Sequence, residues 1–149
     1  MVYKNKVVQA IAYGAGAADG DWINTKYCKK LWILVGMYQA NAAIPTITIE
    51  KGTGDGVGAT AITSSIRIWS NLSTATSDTF VARTPAVSYA LDAGTANKAV
   101  VFEIDPEGLG ETYSWVRVRV SASNAANICH AYYQLDGMRY AQEIPPSTI

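Results

Sequence analysis

Apolar and β-branched residues occur along this chain in short runs, divided by Gly, Asn, Asp, Ser and Pro, and most runs alternate apolar with polar positions. A period of two is the signature of a strand with one face buried. The pattern predicts strands over Lys6 to Tyr13, Leu31 to Gln39, Ile44 to Lys51, Ile62 to Trp69, Lys98 to Ile104, Trp115 to Ser121 and Asn127 to Leu135, with a short last one over Met138 to Ile144. Ile47 and Ile49 share a face, as do Ile62, Ile66 and Ile68. Val116, Val118 and Val120 point inward, which turns Arg117 and Arg119 outward. Pro85 interrupts Thr79 to Leu91, so that stretch is an edge strand or two strands joined at a bend, because proline has no N–H for a central ladder. Asp105-Pro106-Glu107-Gly108 has the chemistry of a turn.

Leu31 to Gln39 breaks the one-sided rule. Leu31, Ile33, Val35 and Met37 lie on one face, and Trp32, Leu34 and Tyr38 on the other. A strand apolar on both faces is covered on both sides, by its own protein or by another subunit. Trp32, Leu34 and Tyr38 are therefore the candidate subunit-interface residues, and a homo-oligomer, a trimer, is expected. One helical turn is expected over Asp21 to Tyr27, capped by Asp19 or Asp21. Strands at this spacing without intervening helices predict an all-β, single-domain antiparallel β-sandwich or barrel, jelly-roll-like and poor in helix. The domain spans 1–149, with extended termini at about 1–6 and 144–149; Pro145 and Pro146 bar the second from a ladder.

Composition sharpens this picture at two points. Charged residues make up only 16% of the 149, below the usual quarter or so, which hints at a surface partly covered by a partner. Twelve Lys and Arg balance twelve Asp and Glu, so nucleic-acid binding, which draws on a basic excess, is not expected. The clusters Lys26, Lys29, Lys30 and Arg117, Arg119 read as solvated faces. Met1 leads straight into Val2-Tyr3-Lys4, with no secretion signal, and no apolar run reaches the length of a membrane span. Cys28 and Cys129 cannot make a disulfide framework and are expected as buried free thiols.

Candidate chemistry is thin. Gly52 to Ala59 contains Gly54-x-Gly56-x-x-Ala59, but β-like sequence follows where a dinucleotide motif needs a helix, so it reads as a mobile hairpin loop. His130 is the only histidine and has no Cys or carboxylate spacing that suggests zinc. Asp19, Asp21 and Asp55 lack the spacing of a calcium loop and suit turns and caps. Glu50, Glu103, Asp105, Glu107 and Glu111 are available as paired carboxylates, though most lie at strand ends or in turns. Trp22, Trp32, Trp69 and Trp115 suit a core or a subunit seam better than a sugar platform. No catalytic residue, metal or cofactor is assigned.

Four segments together carry a family resemblance. They are Tyr13-Gly14-Ala15-Gly16-Ala17-Ala18-Asp19-Gly20-Asp21-Trp22-Ile23, then Ile68-Trp69-Ser70-Asn71 leading to Thr74-Ala75-Thr76-Ser77-Asp78. Val100-Val101-Phe102-Glu103-Ile104-Asp105-Pro106 is the third. Ser121-Ala122-Ser123-Asn124-Ala125-Ala126-Asn127, followed by Arg139-Tyr140-Ala141-Gln142 and Pro145-Pro146-Ser147, is the fourth. The chain resembles a family of small structural proteins of tailed bacteriophages and prophages, encoded near the capsid genes. The resemblance implies a non-enzymatic virion protein, a capsid decoration (cement) protein made in the host cytoplasm. Such a protein is β-rich, often trimeric, and binds the major capsid protein on the outer shell. It transfers no functional residues. Val2, Tyr3, Ile144 and Ile149, the apolar side chains of the two termini, are the candidate capsid contacts. The competing readings are a carbohydrate- or receptor-binding module of a phage fibre or tail, which needs coplanar exposed rings, and a small β-sandwich hydrolase or lyase, which needs a pocket with convergent carboxylates or His130.

Overall fold

Strands that alternate in polarity must pair and then bury one face, and the chain does so in two antiparallel sheets. A computed structural model describes residues 5–121 and 124–137. In chain order the strands are β1 (Lys6–Ala15), β2 (Ala18–Asp19), β3 (Ile23–Asn24), β4 (Lys30–Gln39), β5 (Thr46–Gly52) and β6 (Thr60–Ala61). They continue as β7 (Ile66–Asn71), β8 (Val81–Ala86), β9 (Ser88–Ala90), β10 (Ala96–Ile104), β11 (Trp115–Val120) and β12 (Ile128–Asp136). The larger sheet runs β1-β12-β4-β10-β7-β8. The smaller runs β2-β11-β5-β6, with β3 on β11 and β9 on β5. The result is a single sandwich-like domain rather than a closed barrel.

The core lies between the sheets. Ile33, Val35, Val100, Phe102, Ala131 and Tyr133 of the larger sheet meet Ile47, Ile49, Val116 and Val118 of the smaller, all fully buried. Each such side chain contributes roughly 1.5–3 kcal/mol on leaving water. Tyr133 also ties the layers together. Its hydroxyl donates to the Asp21 carbonyl and accepts from the Val118 N–H, both at 2.9 Å. That contact is possible because residue 20 is glycine: a Cβ there would stand 2.8 Å from the Val118 carbonyl oxygen and 3.0 Å from the Tyr133 hydroxyl.

Several sequence expectations are corrected. Asp21 to Tyr27 holds no helical turn. Ile23 and Asn24 pair with β11 instead, and Thr25 donates backbone and side-chain hydrogen bonds to the Ser114 carbonyl. Ile62 is buried but precedes β7, its N–H bound to the Ile49 carbonyl. The turn expected at Asp105-Pro106-Glu107-Gly108 is present, as a 3₁₀ turn, Pro106–Leu109, capped by the Asp105 carboxylate on the Glu107 N–H. Lys6 is not part of a loose terminus; it opens β1 opposite Leu135. The edge role of Pro85 holds: β8 is the last strand of its sheet, and the chain then crosses to β9 in the other. The predicted strand over Met138 to Ile144 lies outside the described residues.

Candidate binding face

The two sheets present outer faces of opposite chemistry. On the smaller sheet, Arg117 and Arg119 project outward and are neutralised where they stand. Arg117 Nε donates to Glu50 at 2.7 Å, Arg119 Nε to Asp19 at 2.7 Å and Arg119 to Glu50 at 3.0 Å. Burial works against ionisation of Glu50, but the two arginines outweigh it and hold its carboxyl below the usual range. Arg117 also stacks 4.9 Å from the centre of the Trp22 ring, which is buried. Asp19 is thus an ion-pair residue rather than a turn or cap residue. This is an ordinary solvated sheet face.

The outer face of the larger sheet carries an apolar and aromatic patch, with Gln9, Asn97 and Arg67 among the polar positions around it. Strand register places Tyr132, Leu34, Val101 and Trp69 in one row across β12, β4, β10 and β7. Beside it run Val7, Gln134, Trp32 and Glu103. On the other side lie His130, Gly36 and Ala99, then Ile128 and Tyr38. Val7 is 65% exposed, Tyr38 49% and Leu34 42%. Val7, Trp32, Leu34, Val101 and Tyr132 line a shallow depression at its middle. A six-stranded sheet with this much apolar surface turned outward departs from the alternation that antiparallel sheets use to meet water.

Gly36 shapes this face. With no Cβ it leaves bare backbone in the central strand, and the His130 ring lies on it: a Cβ at 36 would fall 2.3 Å from the ring. His130 is flanked by the Tyr13 ring, stacked at 6.4 Å, and the Tyr132 ring, edge-on at 5.9 Å. Its neighbours are aromatic, with no group of three or more His, Cys, Asp and Glu formed among the described residues.

The candidate subunit-interface residues Trp32, Leu34 and Tyr38 all fall on this face. The sequence did not identify Val7, Tyr13, Val101 and Tyr132 as their companions; only cross-strand register brings them together. The candidate capsid contacts Val2, Tyr3, Ile144 and Ile149 lie outside the described residues.

The remaining candidates are engaged locally. Where β4 begins and β10 ends, a cleft of about 250 Å³ contains Lys30, Lys51, Arg67, Glu103 and Asp105. Glu103 is bound by Lys30 and faces Arg67 at 3.6 Å. Lys51 donates to the Leu109 carbonyl at 2.8 Å and lies over the Tyr113 ring. Trp32 and Trp69 pack together with centroids 6.0 Å apart and planes inclined by 39°, each half-buried. The Gly52 to Ala59 segment joins β5 to β6, with a backbone bridge between Gly54 and Val57 and left-handed φ at Gly56 and Gly58. Both cysteines are free; Cys129 is buried, Cys28 half-buried, and burial pushes the Cys28 thiol up to about 11.

No family profile matches the sequence, and no curated protein matches it. Among solved structures, the chain is similar to the SPBc2 prophage-derived protein YomS. The TM-score is 0.55 at 10% identity, over 91% of this chain and 96% of that one. Likeness at that identity shows the fold alone. A structure of infectious bursal disease virus, Gx strain, aligns at 10% identity over 90% of this chain and 40% of that chain; its TM-score of 0.26 carries no argument.

Proposed function

We propose that this chain is a non-enzymatic bacteriophage virion protein that binds and stabilises the outside of the capsid. The observation that carries the reading is the outer face of the larger sheet. It is broad, shallow and apolar, built to be covered by protein rather than to enclose a small substrate. The YomS likeness supports a phage setting, since a prophage-derived protein shares the fold across nearly its whole length. Two of the candidate carboxylates of a hydrolase are tied into ion pairs, Glu50 with Arg117 and Arg119 and Glu103 with Lys30, and Asp105 caps the 3₁₀ turn. A sugar platform is not favoured either: Trp22 is buried, and Trp32 and Trp69 are mutually inclined.

Cementing a shell requires no bond chemistry. It requires a rigid block with repeated attachments, because linking weak contacts raises avidity by about 10² to 10⁴. The partner in this reading is the major capsid protein, with Val2, Tyr3, Ile144 and Ile149 as candidate contacts. Co-sedimentation of the purified chain with empty capsids of its phage tests the proposal. Saturable binding at a fixed number of copies per capsid is expected; a chain left wholly in the supernatant would overturn it.

A further inference from the structure

We infer that the outer face of the larger sheet is the seam between copies of this chain, so that each face is covered by a neighbouring copy before any capsid is met. The inference rests on the reading of that face as protein-covered, and names the protein.

Extent comes first. Five strands, β1, β12, β4, β10 and β7, contribute to the face, about four outward positions each on average, with Gln9, Gln134, Asn97, Glu103 and Arg67 as polar members among the apolar ones. At strand spacings of about 4.8 Å and outward repeats of about 6.8 Å, the face covers roughly 600 Å² per copy. Two such faces together remove about 1,200 Å², the lower bound for a stable specific interface.

Charge comes second. Three charged groups that border the apolar patch are paired within one copy: Glu103 is bound by Lys30 and faced by Arg67. The formal charge of the chain is zero. Among the described residues this face offers no unpaired charged cluster to select a charged partner. The other side of the sandwich, with Arg119 exposed and paired to Asp19 and Glu50, is the one that stays in water.

Chemistry comes third. Tyr13, Tyr38, Tyr132, Trp32 and Trp69 join Leu34, Val101 and Val7 on the face. Tyrosine and tryptophan supply large contact area at small cost in side-chain entropy and are concentrated at interface centres. Self-covering through closed symmetry is the usual fate of such a surface.

The test is the mass of the purified chain by light scattering at micromolar concentration, without capsids. The inference predicts a dimer, since a face that meets its own copy makes a two-fold interface; a trimer would set this face against a different surface of the neighbour and overturn the face-to-face seam. Leu34→Arg, at the centre of the face, should weaken the dimer by at least about tenfold in dissociation constant. Val57→Arg, at an exposed apolar position off the face, should leave the mass unchanged. Near-ultraviolet circular dichroism checks folding, and Tyr132→Arg serves if Leu34→Arg does not fold. A wild-type monomer, or face variants with undiminished mass, would overturn the inference. A monomer that still binds empty capsids through Leu34 would assign the face to the capsid protein and leave the virion role standing.

Discussion

The hydroxyl of Tyr133, on the larger sheet, accepts a 2.9 Å hydrogen bond from the backbone N–H of Val118 on the smaller one. Val118 sits between the points where β2 and β3 pair with β11, so the phenol occupies a gap in the ladder and passes its own proton to Asp21. Tyr133→Phe keeps the ring but leaves a buried N–H and a carbonyl unpaired. The expected cost is about 1–3 kcal/mol, with the thermal midpoint lowered by several degrees. Thermal unfolding followed by circular dichroism checks this; an unchanged midpoint would mean that water or another donor replaces the hydroxyl.

Gly36 and His130 form the second coupled pair. Gly36→Ala forces the His130 ring off the strand, since the new Cβ would overlap it. The expected destabilisation is up to about 1–3 kcal/mol, the usual cost of overpacking. Adding His130→Ala to Gly36→Ala should recover most of it, whereas His130→Ala alone changes little. Urea denaturation of the four proteins of the cycle measures the coupling. No recovery in the double variant would show that the strand backbone, not the ring, resists the methyl group.

Lys98 is the charge in the core. Its ammonium is fully buried, donates to Gln39 at 2.8 Å and to the Asp92 carbonyl at 3.0 Å, and pairs with the Asp92 carboxylate. The hydrogen bond from Lys98 holds Asp92 below the usual carboxylate range. A carboxylate depressed in the folded state stabilises the fold above its unfolded pKa, near 4, and loses that contribution as pH falls through the folded value. Lys98→Met removes the cause. The stability gap between wild type and Lys98→Met should therefore narrow as pH falls from about 5 to 2. A gap that does not vary with pH would mean the ammonium acts through its bonds to Gln39 and the Asp92 carbonyl rather than through the Asp92 carboxylate.

Much of the architecture was legible because burial on one side writes a period of two into the sequence. Ile47 and Ile49, and Val116, Val118 and Val120, face inward as the alternation required. Pro85 marked an edge because a missing N–H is a local fact. Pairing at a distance was not legible. The aspartates around Trp22 looked like caps, yet Ile23 and Asn24 find their partners on β11, roughly ninety positions onward. The face was half visible: Trp32, Leu34 and Tyr38 declared themselves through a strand apolar on both sides. Val101 and Tyr132 joined them only through register, which no single strand encodes. His130 lay beyond reach for the same reason, since its setting depends on Gly36 in another strand.

The central claim, that this chain is a component of the capsid exterior, is tested most directly by imaging phage particles assembled with and without it. The account predicts repeated extra density on the outer shell when the chain is present, bare shells when it is absent, and recovery of the density on adding purified protein. Identical shells in the two preparations, with the chain remaining free in solution, would contradict it.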